Sequence, residues 1–259
     1  MRISVLSENH AGTFTRAEHG LSYLIEFDDK KILFDAGQSI LFLDNARIMN
    51  IYIGNLDLVV LSHGHFDHGN GLEYISDYDL LCHPDCFIRR HHKSDRLNIG
   101  INFSREELAR KFNLITSDVP YKISERIYFL GGIPRITAFE SVSTNFTYAD
   151  GTPDFVMDDS ALAIILPQGL FIITGCGHSG IVNILEYAKK VTGIETIYGI
   201  LGGFHLKETD TQLKETIKYL KINNVEHVMP SHCTELPALS AFYENFGIRQ
   251  VKTGNILVF

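Results

Sequence analysis

The sequence predicts a layered α/β fold, and three observations carry that expectation. Short apolar runs of strand length alternate with helical stretches along the whole chain. Two segments, Ser22 to Ser39 and Ala161 to Ser179, repeat one pattern of hairpin, Gly-rich turn and following helix. Polar residues suited to chemistry follow directly on apolar runs, as when His63 follows Val-Val-Leu-Ser. Two such halves would make two sheets packed face to face, with helices outside.

Taken in order, the first half offers strands at Ile3–Leu6, Leu21–Phe27, Lys31–Asp35, Leu56–Ser62 and Asp79–Cys82. Its helices are expected at Leu41–Met49, Gly71–Ser76, Pro84–Ile88 and Arg105–Lys111. The second half offers strands at Arg126–Leu130, Ile136–Phe139, Ala161–Leu166, Gly169–Thr174, Thr196–Leu201, His227–Pro230, Gln250–Thr253 and Ile256–Phe259. Helices are expected there at Gly180–Val191, Thr209–Ile222 and Leu236–Phe246. Within the repeat, both turns carry a Gly-x-Ser ending, Gly37-Gln38-Ser39 and Gly177-His178-Ser179. No low-complexity or Pro/Gly/Ser-rich linker interrupts the series, so a single domain spanning 1–259 is expected.

Composition narrows the function. With 45% hydrophobic and 21% charged residues and no apolar run near membrane-spanning length, the chain is expected to be globular and to need no membrane. The opening Met1-Arg2 and the early polar stretch Ser7-Glu8-Asn9-His10 do not resemble a secretory signal, so the cytoplasm is the expected location. Four scattered cysteines read as thiols and not as a disulfide framework. A formal charge of −8 argues against nucleic acid, whose binders cluster Lys and Arg, and favours a small-molecule partner. Twelve histidines beside no tryptophan direct attention to metal binding.

The densest signal is His63-Gly64-His65-Phe66-Asp67-His68, directly after an apolar strand. Three imidazoles and a carboxylate supply an N/O ligand set for Zn²⁺, Mn²⁺ or Fe²⁺. In an extended or turn geometry His63 and His65 point to one side, while Asp67 and His68 reach a second position. Gly64, Gly69 and Gly71 allow the backbone to turn tightly there. A histidine-rich surface turn is the bland alternative, and this spacing after a strand disfavours it.

The run Leu61-Ser62-His63-Gly64-His65-Phe66-Asp67-His68-Gly69-Asn70-Gly71 resembles the signature of the metallo-β-lactamase superfamily, and the resemblance extends over nearly the whole chain. It implies a four-layer αββα sandwich. Asp35, in Phe34-Asp35-Ala36-Gly37, resembles the superfamily aspartate that orients the metal-binding loop, and His232, in Pro230-Ser231-His232-Cys233, resembles its last metal-binding histidine. Two motifs depart from the common form: Asp158-Asp159-Ser160 stands where a His-Thr-x-Gly-like turn is usual. Thr174-Gly175-Cys176-Gly177-His178 stands where a Thr-Gly-Asp turn usually brings a bridging aspartate.

The resemblance implies one or two divalent ions, zinc foremost, with Mn, Mg or Fe as alternatives. His63, His65 and His178 would hold the first ion, and Asp67, His68 and His232 the second. Asp67 would double as acid or base, His205 either contacts substrate or only caps its strand, Cys176 is a candidate ligand or simply a small buried residue, and Asp158 and Asp159 are candidate ligands or orienting groups. Arg89-Arg90-His91-His92-Lys93, with Arg96, is the densest positive segment; it reads first as a solvated charged face, and Arg89, Arg90 and Lys93 are the candidate contacts for a substrate anion.

The combination of Thr-Gly-Cys-Gly-His-Ser-Gly, Leu-Gly-Gly-Phe-His-Leu and Pro-Ser-His-Cys-Thr is similar to one branch of the superfamily. That branch includes a dihydropterin synthase of the methanopterin pathway, and most of its members are described only in general terms, as metal-dependent hydrolases. The expected function is therefore hydrolysis of a small anionic molecule by metal-activated water. The alternative is a transferase joining 7,8-dihydropterin pyrophosphate to a ribosyl-aminobenzene phosphate. A diiron redox protein would be expected to add a carboxylate ligand and a flavin domain, neither of which is evident. A non-catalytic sensor would have no need of the full His63, His65, Asp67, His68 set.

Overall fold

The computed structural model describes residues 1–259. By its internal contacts the chain forms two compact units, one of Met1–Asp118, Asn145–Asp154 and Val251–Phe259, the other of Val119–Thr144 and Phe155–Gln250. The elements begin with β1 (Arg2–Ser7), β2 (Ser22–Phe27), β3 (Lys30–Phe34), α1 (Leu41–Ile48), β4 (Leu58–Val60) and α2 (Phe66–Gly69). They continue with β5 (Asp79–Cys82), β6 (Arg90–His92), α3 (Arg105–Lys111), β7 (Asn113–Thr116), β8 (Tyr121–Lys122), β9 (Ile127–Phe129) and β10 (Phe146–Tyr148). The chain ends with β11 (Ala161–Leu166), β12 (Gly169–Thr174), α4 (Ile181–Thr192), β13 (Ile197–Gly203), α5 (Thr211–Ile222), β14 (His227–Ser231), α6 (Leu236–Phe246) and β15 (Ile256–Val258).

The first unit is built on a seven-stranded sheet in the order β15-β1-β2-β3-β4-β5-β7, with β6 and β10 forming a small separate ladder. The strands from β1 to β3 pair antiparallel, and β3, β4, β5 and β7 run parallel. Leu24, Leu33, Phe42 and Val59 are completely buried in its core. In the second unit six strands take the order β14-β13-β12-β11-β9-β8, where β12, β13 and β14 are parallel. Ile172, Ile200, Phe204 and Phe242 are buried in that core.

The sequence repeat has a structural counterpart in each unit. The antiparallel hairpin β2–β3 leads through α1 to the parallel strand β4, and β11–β12 leads through α4 to β13. Gly37 and Gly177 both take φ of 69°, a left-handed conformation open to glycine without a Cβ clash. Helix boundaries follow local chemistry. Ser104 and Glu107 form a reciprocal capping box at α3, Asp210 accepts from the Leu213 N–H at 2.9 Å to start α5, and left-handed Gly193 ends α4. No helix is long and apolar enough to cross a membrane.

Several expected elements differ. Ile136–Phe139 is not a strand, because the Ile136 and Thr137 N–H groups both donate to the Asn183 side chain at 2.9 Å and so never join a ladder. Gln250–Thr253 contributes only an isolated bridge between Thr253 and Ala11. The expected helices at Gly71–Ser76 and Pro84–Ile88 are short 3₁₀ turns, Asn70–Tyr74 and Pro84–Phe87. Short strands β6, β7, β8 and β10 have no counterpart among the expected elements, since two to four residues carry too little periodicity to register.

Candidate metal centre

In the first unit the site begins where β3 ends. Asp35 follows the strand with φ of 56°, a left-handed conformation uncommon for a non-glycine residue, and is 1% exposed. Its backbone continues the parallel pairing through Asp35 N–H to Val60 carbonyl at 2.8 Å, which aims the carboxylate across the end of β4. There Oδ1 accepts from the Ser62 N–H and Oδ2 from the Ser62 hydroxyl, both at 2.7 Å. Oδ2 also lies 2.6 Å from His68 Nδ1.

These contacts determine which ring nitrogens are available. The Ser62 hydroxyl proton points to Asp35, so Ser62 Oγ accepts from His63 Nδ1 at 2.9 Å. His63 is thereby protonated on Nδ1, and its lone pair lies on Nε2. An ionised Asp35 likewise requires the proton of His68 on Nδ1. One carboxylate orients two imidazoles with Nε2 as the donor atom, the arrangement by which a supporting carboxylate raises ligand basicity.

The imidazoles are close together. The His63 ring centroid lies 4.5 Å from that of His65 and 4.3 Å from that of His68, and all three residues are buried. Burial, reinforced by His68 and His65, holds the His63 pKa well below 6.5. A neutral imidazole with its lone pair inward is the form a cation binds. Gly64 is required here: a Cβ would stand 1.9 Å from the Cys86 carbonyl oxygen. The loop is pinned further by Ala36 N–H to the His68 carbonyl at 2.8 Å and Gly71 N–H to the Gly37 carbonyl at 2.9 Å.

Asp67 is 4% exposed, and its Oδ2 lies 3.7 Å from His68 Nε2 and 3.2 Å from His19 Nε2. Asn9 Oδ1 accepts from the Gly20 N–H at 3.2 Å, so Asn9 Nδ2 is the donor to His19 Nδ1 at 3.3 Å. That leaves the His19 proton on Nε2, directed at Asp67. Sequence reasoning missed His19, which sits in a polar loop outside any motif. Ser62 was missed as a functional hydroxyl, although its place immediately before His63 was the available signal.

In the second unit the turn after β12 carries Cys176, His178 and Ser179. Asp159 is fully buried and accepts from the Ser179 N–H at 2.8 Å, while Asn183 Nδ2 donates to the Ser179 carbonyl at 2.8 Å. Burial raises the Asp159 pKa. Asp159 thus holds the His178 turn from its flank, and Asp158 beside it is also buried. The His178 and His205 rings lie 4.3 Å apart. His205 after β13 and His232 after β14 take φ of 49° and 50°, so both strand ends adopt the same left-handed backbone.

All four cysteines are free thiols, as expected. Cys233 Sγ donates to the Cys176 carbonyl at 3.3 Å, and one donor atom each from Cys176, His232 and Cys233 lie within 4.8 Å of one another. Two sulfurs and an imidazole are donors of the type that zinc takes. In each unit, then, the donor chemistry fits a divalent ion. Cys233, absent from the sequence-based set, joins it through the fold.

The positive segment divides. Arg90 is 1% exposed, with Nε 3.3 Å from Asp154 Oδ2, so it serves a buried ion pair and is withdrawn from any substrate anion. Lys93 is exposed, and Arg89 lines a cavity on the other side of β6.

Comparison with known proteins agrees with this chemistry. A family model for the metallo-β-lactamase superfamily matches residues 15–78. The chain is 40% identical over 248 residues to an uncharacterized protein of Methanocaldococcus jannaschii, covering 92% of each. It is 32% identical to the 7,8-dihydropterin-6-methyl-4-(β-D-ribofuranosyl)-aminobenzene-5′-phosphate synthase of the same organism, covering 100% of this chain and 97% of that one. A crystal structure described as a metal-dependent hydrolase of the β-lactamase superfamily superposes with a TM-score of 0.89 at 29% identity, covering 100% of this chain and 99% of the other.

Proposed function

Because the chain belongs to the metallo-β-lactamase superfamily, with its mixed α/β fold, we propose that it is a metal-dependent hydrolase acting on a small anionic molecule. The observation that carries this reading is the Asp35–Ser62–His63 and Asp35–His68 hydrogen-bond set, which presents neutral imidazoles with Nε2 as donor. A structural histidine cluster would have no need of a buried carboxylate to select the tautomer of two members.

His63, His65 and His178 would hold one ion, and Asp67, His68 and His232 a second, with Cys176 a candidate further ligand. Held by these residues, a divalent ion would supply Lewis-acid chemistry, lowering the pKa of a water to about 7 and polarising a carbonyl or phosphoryl oxygen. Asp67 is the residue to take up a proton during the reaction, with His19 holding its carboxylate in place. His205, beside His178, is assigned to substrate contact. Zinc is the preferred metal because imidazole, carboxylate and thiolate donors occur together. The reaction needs no membrane or nucleic acid, and the cytoplasm is the proposed location.

A second reading is favoured by the synthase relative, which matches over the full chain. Here the same ligands would serve a transferase that joins the dihydropterin of a dihydropterin pyrophosphate to a ribosyl-aminobenzene phosphate, with pyrophosphate released as the leaving group. One experiment separates the readings. Protein purified without chelators is analysed for metal by mass spectrometry beside a His63→Ala variant, then assayed on phosphodiesters, lactones and the pterin pair. Metal lost in the variant together with turnover of an ester supports the hydrolase. Condensation of the pterin pair without ester turnover supports the transferase, and full metal content in the variant overturns both.

A further inference from the structure

A second ligand site lies in the first unit, on the ladder formed by β6 and its neighbours. Alternation along Arg89-Arg90-His91-His92 sends consecutive side chains to opposite faces. Arg90 turns inward to Asp154, and Arg89 and His91 therefore share the other face, where both line a cavity of about 390 Å³. That volume falls within the roughly 300–1,000 Å³ of small-molecule sites. Asn98, the bridge partner of His91, lines it as well, and Phe87, Ile101 and Phe103 supply an apolar wall.

Two polar groups of this cavity, the Arg89 guanidinium and His91 Nδ1, have no partner within the chain. Arg89 is exposed, and its guanidinium forms no ion pair or hydrogen bond with the rest of the chain. The Nδ1 atom of His91 is buried without a hydrogen-bond partner, which is costly unless something occupies the space beside it. The carboxylate of Glu107, also at the wall, accepts from the Ser104 N–H at 2.7 Å and forms no ion pair with Arg89. We infer that the cavity binds a small aromatic anion, its negative group on Arg89 and His91 and its ring against Phe87 and Phe103. A guanidinium beside aromatic walls suits a phosphate or a carboxylate alike.

The site is continuous with the metal-binding loop. Ile99 N–H donates to the Arg90 carbonyl, while the Ile99 carbonyl accepts from Phe66 N–H, each at 3.0 Å; Ile101 N–H donates to the Gly64 carbonyl at 3.0 Å. The segment that floors the cavity is thus bonded on one side to the strand carrying His91 and on the other to the loop carrying His65. The proposal does not depend on the hydrolase or transferase reading, since it concerns binding alone.

The test is calorimetric titration of the full-length protein, as purified, with phenyl phosphate, benzoate, inorganic phosphate and phenol. Wild-type and His63→Ala protein should both bind at least one aryl anion saturably, which separates this site from the metal centre. Arg89→Gln should weaken that binding at least 10-fold with an unchanged melting temperature, and Phe103→Ala should weaken aryl anions more than inorganic phosphate. Arg249→Gln, an exposed arginine of the other unit, should leave it unchanged. Preference between phenyl phosphate and benzoate identifies the anionic group. Absence of saturable aryl-anion binding overturns the proposal, as do equal affinity in Arg89→Gln and wild type, inorganic phosphate binding as tightly as phenyl phosphate, or loss of binding in His63→Ala.

Discussion

His68 Nδ1 lies 2.6 Å from Asp35 Oδ2, and both side chains are completely buried. A carboxylate taken out of water at that depth is stable only if its oxygens are satisfied, and here Ser62 supplies the remaining partners through its N–H and hydroxyl. Asp35 is therefore placed to orient His68 directly and His63 through Ser62, and its own oxygens are occupied by protein donors.

Removing that support should weaken metal binding without removing a ligand. Asp35→Ala is expected to lower metal affinity by about 10- to 100-fold, the usual cost of losing a carboxylate behind a ligating histidine. Chelator competition with the purified protein measures it. Affinity equal to wild type would contradict the tautomer argument.

Gly64→Ala tests the fold of the loop. Its Cβ would stand 1.9 Å from the Cys86 carbonyl oxygen, a backbone atom that cannot move aside without displacing the 3₁₀ turn Pro84–Phe87. A loss of about 3 kcal/mol or more is expected, together with loss of metal. Denaturant unfolding and metal analysis of the same sample read both effects, and a variant with wild-type stability would refute the close approach.

Glu140 provides a pH-dependent test away from the metal ligands. It accepts from Val182 N–H at 2.8 Å and Asn183 N–H at 2.9 Å at the start of α4, and burial raises its pKa above 4.5. A raised carboxyl pKa means that the folded state holds its proton more tightly than the unfolded state. The stabilising contribution of that proton is complete below pH 4.5 and falls as pH rises through the folded-state pKa. Glu140→Ala is expected to cost about 1–3 kcal/mol, and to cost more near pH 4.5 than near pH 8. Unfolding curves of both proteins at the two pH values check the sign, which a larger loss at pH 8 would reverse.

His19 should matter for turnover more than for metal content. With Nε2 at 3.2 Å from Asp67 Oδ2, it positions the carboxylate assigned to the proton. His19→Ala is expected to retain its metal and to lose about 10-fold or more in kcat, with a smaller change in KM. Metal loss comparable to that of His63→Ala would instead make His19 part of the ion's own support.

Much of the chemistry was legible in the sequence because it is local. The residues of the His63 to His68 run are neighbours in the chain, and the strand before them could be read from its apolar run. Asp35 and His232 were legible through motif resemblance, and the Gly-x-Ser turns through the internal repeat. Arg90 was misread, since a run of cations looks the same whether its members alternate inward or outward. Only the ladder partner at β10 and buried Asp154 revealed the inward face.

By itself the sequence determined the donor types of the His63 to His68 run, most of the longer strands and helices, and the absence of any membrane-length helix, all of which depend on residues close in the chain. The tertiary structure alone decided that the Ser62 hydroxyl donates to Asp35, that His19 reaches Asp67, that Cys233 stands beside Cys176, and that Arg89 lines a cavity. Each of these needs a distance of a few ångströms between side chains set by separate turns, and no periodicity or spacing rule encodes such a distance. It follows from where packed strands end and from the left-handed backbone at Asp35, His205 and His232 that aims the side chains there.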